Sequence, residues 1–138
     1  MKTKALVCLM SKDKSKAGNF VTSINDKDVF MRFDTIISKN KYDIPDQLLN
    51  NLTSNINEYL KKKCEIFYFI FDDTVTHFEE FDDQIFMDVL KYMNLDVKVY
   101  LYFENQCCHA KDEDGKIYSN DFEKFDELLK TIESELKH

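Results

Sequence analysis

Cys64-Glu65-Ile66-Phe67-Tyr68-Phe69-Ile70-Phe71-Asp72-Asp73 is the stretch that decides how this chain folds. From Cys64 to Phe71 it is apolar on both faces of a two-residue repeat, about one buried strand long. A strand wetted on one side alternates, whereas a continuous apolar run of this length suits a strand covered on both sides. The run therefore belongs in the middle of a sheet, and it delivers Asp72 and Asp73 to the rim.

Immediately upstream, Lys61-Lys62-Lys63 suits the negative end of a helix dipole. Leu48, Leu49, Leu52, Ile56 and Leu60 repeat at helical spacing before it, and Pro45 stands where a first helical turn tolerates proline. Residues 38–44 read as a polar loop. Farther back, Asn19–Ile24 and Val29–Ile37 are rich in β-formers, and Asn25-Asp26-Lys27-Asp28 between them carries turn chemistry, so a hairpin is expected. Ala5–Met10 is a second short, continuously apolar strand, followed by a Lys/Ser loop from Ser11 to Gly18.

Downstream, Asp72–Asp83 is the most acidic stretch, with Phe78 and Phe81 among its carboxylates. Ile85, Phe86, Val89, Leu90 and Met93 form a second helical stripe, and Val97–Phe103 alternates as a strand. The loop 104–115 ends in Asp114-Gly115, and Lys116–Ser119 is a candidate extra strand. Ser119 or Asn120 can cap a last helix whose stripe is Phe122, Phe125, Leu128, Leu129, Ile132 and Leu136. The expected order is β-β-β-α-β-α-β-α in one α/β (α+β mixed) domain spanning residues 1–138. Its sheet is expected to hold about five strands and to be mixed: the first three antiparallel, the later ones parallel through helices.

Composition narrows the function classes. The chain has 138 residues, 43% hydrophobic and 14% aromatic, enough for a real core. No apolar run approaches a membrane helix, and the apolar residues after Met1-Lys2-Thr3-Lys4 are too few for a secretory signal, so a soluble, cytoplasmic protein is expected. Cys8 and Cys64 sit in apolar runs and Cys107 and Cys108 are adjacent, which favours buried free thiols over a disulfide framework. The net charge is −7, and Arg32 is the single arginine. An acidic chain poor in arginine is a poor partner for duplex nucleic acid and a better one for a basic protein surface.

Three constellations carry resemblances. The element order resembles the ribonuclease H-like topology, which implies a metal-dependent nuclease with a carboxylate at the end of a central strand; Asp72 or Asp73 matches that place, while the first strand has no acid. Lys4-Ala5-Leu6-Val7-Cys8-Leu9, Phe71-Asp72-Asp73-Thr74 and Lys116-Ile117-Tyr118-Ser119 are together similar to blocks of cofilin-like (ADF-homology) domains, which implies that fold as the alternative and a divergent actin-binding activity. The actin-facing helix is basic in that family, whereas Asp121, Glu123, Asp126 and Glu127 stand there here. Asp112-Glu113-Asp114-Gly115 resembles the middle of an EF-hand calcium loop but has Ala110 where the first ligand belongs, and a hairpin turn explains it more simply.

No motif for catalysis is complete, so no catalytic residue, metal site or cofactor is assigned. The functional expectation is a non-enzymatic, acidic protein-binding or inhibitory module of the immunity-protein or viral-antagonist type. It would contact a basic partner through Asp72, Asp73, Phe78, Glu79, Glu80, Phe81, Asp82 and Asp83. Carboxylates would steer the partner and aromatics would anchor it. The alternative is a metal-dependent nuclease-like or small-ligand-binding protein with its site at Asp72 and Asp73, beside Thr74, Glu104, Asn105 and Gln106.

Overall fold

The computed structural model describes residues 3–77, 82–107 and 110–137, without the side chain of Lys41. Five strands form one sheet: β1 (Ala5–Ser11), β2 (Val29–Thr35), β3 (Ile66–Phe71), β4 (Lys98–Glu104) and β5 (Ile117–Phe122). Five α-helices accompany them: α1 (Ala17–Val21), α2 (Ile44–Lys61), α3 (Asp73–Thr76), α4 (Gln84–Met93) and α5 (Phe125–Leu136). The strand order is β2-β1-β3-β4-β5, and each adjacent pair is parallel. This is the doubly wound, flavodoxin-like order, in which the chain reverses direction across the sheet between β1 and β3.

The apolar run after the triple lysine is β3, third of five, and five of its six residues are buried. All seven residues of β1 are buried as well. Both faces of these strands are covered because the reversal sends helices to opposite sides. Leu48, Leu52 and Ile56 of α2 pack with Phe86 and Leu90 of α4 against Leu6, Phe67, Phe69 and Phe71. Phe20 of α1 packs with Leu128 and Ile132 of α5 against Val7, Leu9, Tyr68 and Ile70 on the other face. Burial of such side chains contributes about 1.5–3 kcal/mol each.

Several expectations are corrected. The sheet is wholly parallel, not mixed: of the three segments expected to be antiparallel neighbours, Ala5–Met10 and Val29–Ile37 contribute β1 and β2, which pair parallel, and Asn19–Ile24 is not a strand. The order β-β-β-α-β-α-β-α is not observed, so neither the ribonuclease H-like topology nor the cofilin-like alternative, with its antiparallel pairing of the strands near 64–71 and 97–103, describes this sheet. The decisive segment is Asn19–Ile24, expected to be a strand. It begins within α1, and Phe20 and Ile24, four residues apart, are its buried positions. That spacing is helical, and it outweighs the local β propensity because both side chains reach the core from one side. Asp13 starts the helical turn by accepting a hydrogen bond from the Ser15 amide at 3.0 Å. The last helix begins at Phe125, beyond Ser119 and Asn120, because those residues and Phe122 belong to β5.

The connection from β4 to β5 has no helix among its described residues. It folds back instead, with Lys111 bridging Tyr118 antiparallel and Ser119 N donating to Ala110 O at 3.0 Å, which covers the outer edge of β5. Gly115 makes the turn at φ 69°, a conformation that suits glycine. The loop resembling an EF-hand is thus a tight turn, in which Asp112 accepts its bonds from the Asp114 and Gly115 amides.

Candidate functional site

In an open parallel sheet, the carboxyl ends of the strands on either side of the reversal leave a crevice that adjacent helices do not fill. Here those ends are Ser11 of β1 and Phe71 of β3, with Glu104 at the end of neighbouring β4. Met10 pairs with Phe71, so Ser11 and Asp72 emerge side by side.

Asp72 is fully buried. One carboxylate oxygen accepts from the Ser11 hydroxyl and from Lys16 Nζ at 2.8 Å. The other accepts from the Thr74 amide at 3.1 Å and from the Thr74 hydroxyl. Ser11 Oγ in turn accepts from the Asp13 amide at 2.9 Å, and Thr74 Oγ1 from the Lys12 amide at 2.8 Å. Each hydroxyl has one proton, and each spends it on Asp72. Asp72 is therefore the knot that ties the loop after β1 to the N-terminus of α3, and a buried carboxylate with four donors is well compensated.

Lys16 is half exposed and surrounded by acids: Asp72, Asp73 at 3.9 Å, and Glu104. Burial works against its charge, but the bond to Asp72 and the fields of Asp72, Asp73 and Glu104 outweigh it and hold its pKa above the ordinary lysine value. Glu104 Oε1 accepts from the Asp73 amide at 2.8 Å, and the Glu104 carbonyl accepts from the Thr76 hydroxyl at 2.9 Å. Partial burial pushes the Glu104 carboxyl above the usual glutamate value, and the like charges of Asp73 and Asp72 add to this against the opposing Asp73 amide and Lys16.

A cavity of about 320 Å³ opens beside this cluster, between α1 and α5. Leu9 of β1 forms its floor, Phe20, Phe125 and Leu129 line its walls, and Lys16 and Glu104 stand at its polar end. Phe20 and Phe125 meet edge to face, with ring centroids 6.0 Å apart. Asn19, Ser23 and Asp126 add further polar groups to the lining, and the volume lies at the lower end of the usual small-molecule range of about 300–1,000 Å³.

The expected contact residues that are described differ in exposure. Asp72 is buried, while Asp73 and Asp82 are exposed. Asp83 is half-buried and accepts from Ser119 Oγ at 2.7 Å and from the Ala110 amide at 3.3 Å, fastening the β4–β5 connection to α4. Phe78, Glu79, Glu80 and Phe81 lie outside the described residues. Of the rim residues named with Asp72 and Asp73, Thr74 and Glu104 join the cluster. Lys16, Ser11, Phe20 and Phe125 were missed by sequence reasoning. The available signal was position: Lys16 lies in the first loop after β1, where a parallel sheet concentrates its ligand groups.

Among the described residues no group of three or more His, Cys, Asp or Glu is arranged to hold a metal ion. No described helix is long and apolar enough to cross a membrane. Comparison with protein-family models, with curated proteins and with solved structures gives no match for this chain.

Proposed function

We propose that this protein is a small-ligand-binding module whose site is the crevice at the carboxyl ends of β1, β3 and β4. The observation that carries this reading is the cavity between α1 and α5, with an apolar body of Leu9, Phe20, Phe125 and Leu129 and charged groups from Lys16, Glu104 and Asp126. An apolar ligand body would gain burial there, and the charged groups would set its orientation. Asp72 would act indirectly, by holding Lys16 and the first turn of α3 in place.

The reading is tested by recording amide spectra of the protein during titration with a library of small aromatic and aliphatic compounds. Binders should shift resonances of Lys16, Phe20, Glu104 and Phe125, and Ser23→Trp, which places a bulky ring at the cavity wall, should abolish those shifts. Compounds that bind only elsewhere, or with equal affinity to the Ser23→Trp protein, would overturn it.

A second reading is a protein-binding module that meets a basic partner through acidic residues. Its support is the net charge of −7 and the exposure of Asp73 and Asp82, which flank residues 78–81. It requires that replacing Glu79, Glu80, Asp82 and Asp83 by Ser lower partner affinity and flatten its salt dependence. Unchanged affinity in that variant rejects it.

A further inference from the structure

We infer that the cavity between α1 and α5 selects an organic cation, an amine carried on a short aromatic or branched aliphatic body. This deepens the proposed ligand-binding function and rests on it.

The sign of the charge follows from the balance around the cavity mouth. The lining contributes one ammonium, Lys16, and two carboxylates, Glu104 and Asp126. The ammonium donates one of its three N–H bonds to buried Asp72 at 2.8 Å and lies 3.9 Å from Asp73. Asp72, Asp73 and Glu104 thus act on one ammonium, and Asp126 adds a further carboxylate to the lining, so the charge about the mouth is net negative. The N-terminal end of α5 adds a partial positive charge, but Asp126 and Glu127 in its first turn already meet it.

Glu104 carries the argument furthest. Its Oε1 accepts one hydrogen bond, from the Asp73 amide, and the Asp73 carboxylate that follows repels it. Partial burial next to like charge leaves its ionised form under-compensated, consistent with its raised pKa. A ligand ammonium at the polar end of the cavity would supply the missing counter-charge and charge-assisted bonds. A ligand carboxylate would meet the like charges of Glu104 and Asp126 and would share Lys16 with Asp72.

The body of the ligand is set by the walls. Phe20 and Phe125 offer ring surfaces, and Leu9 and Leu129 extend that apolar surface. An aromatic ring fits edge to face beside such rings, and a nearby ammonium gains from their π faces.

Three near-isosteric probes separate this inference from the function on which it rests: phenethylammonium, 2-phenylethanol and phenylacetate, each titrated into the full chain near neutral pH with amide shifts as the readout. Phenethylammonium should bind most tightly, at the resonances of Lys16, Phe20, Glu104 and Phe125. Glu104→Gln should weaken it about tenfold while changing phenylethanol binding little, since one charge-assisted contact is lost. If the alcohol or the carboxylate binds at these residues as tightly as the amine, the cation inference is overturned and the ligand cavity stands. If none of the three moves these residues, both the inference and the ligand-binding reading fail.

Discussion

Lys16 Nζ lies 2.8 Å from the buried Oδ2 of Asp72, so the loop leaving β1 is pinned to the end of β3 by an ion pair across the point where the chain reverses direction. Lys16 is half exposed and Asp72 is not, so the two ends of the pair are unequal. Removing the ammonium leaves a buried carboxylate with three donors; removing the carboxylate leaves an ammonium that water can reach but strands the Ser11 and Thr74 hydroxyls.

Lys16→Met is therefore expected to destabilise the protein by about 2–3 kcal/mol at neutral pH, and Lys16→Arg by less, in denaturant titrations. A Lys16→Met protein as stable as wild type would show that the pair contributes nothing net.

The pH dependence of Lys16 has a definite sign. Its folded pKa is raised above the ordinary value near 10.5 by Asp72, Asp73 and Glu104 acting against burial. Its contribution to stability is thus complete below that value and disappears as pH rises through the folded pKa. Wild type should lose stability in this alkaline range more steeply than Lys16→Met, measured as the difference between their thermal midpoints across the range.

Glu104 behaves in the opposite sense to most carboxylates. Its folded pKa lies above the ordinary glutamate value of 4.5, so ionising it costs stability as pH rises through the folded value. Glu104→Gln keeps an oxygen for the Asp73 amide and should be more stable than wild type near neutral pH, by about 0.5 kcal/mol after solvent screening. The gap should close as pH falls below about 4.5, the ordinary value. A gap that widens on acidification would contradict the assignment.

Two turns offer a paired test of backbone strain. Lys63, which follows α2, sits at φ 70°, and Gly115 sits at φ 69°. Lys63→Gly should raise stability by about 1 kcal/mol, since a non-glycine residue carries strain in this region. Gly115→Ala should lower it by a similar amount, with the added Cβ 3.4 Å from the Tyr118 hydroxyl oxygen. Unfolding midpoints that shift in the reverse directions would show that these turns relax freely.

The thiols should separate by reactivity. Burial pushes the Cys8 thiol well up, with the Asp34 charge adding to it, and pushes Cys64 to about 11. In a Cys107→Ser, Cys108→Ser protein, a thiol reagent should modify Cys8 and Cys64 only as fast as the native state opens. Rapid labelling under native conditions would place either thiol nearer solvent than the fold allows.

Much of the architecture was legible because it depends on local periodicity. The both-face apolarity of residues 64–71 marked a central strand, the Leu48–Leu60 stripe marked α2, and alternation in 97–103 marked β4. The first crossover was not legible, since Asn19–Ile24 has β-forming residues at helical spacing and a stretch that short lets either pattern win. The site was half legible. Asp72, Asp73, Thr74 and Glu104 follow apolar strands and could be named as rim residues, but Phe20 and Phe125 look like ordinary core positions and Lys16 like one of several lysines in a polar loop.

By itself, the sequence determined which segments are strands buried on both faces and which helices carry an apolar stripe, because those patterns arise between near neighbours along the chain. Only the tertiary structure decided that all the strands run parallel, that the chain reverses between β1 and β3, and that Lys16, Asp72 and Glu104 meet at one rim. Those outcomes depend on how helices share the two faces of the sheet, and that is a balance among side chains dozens of residues apart, with no local pattern to record it.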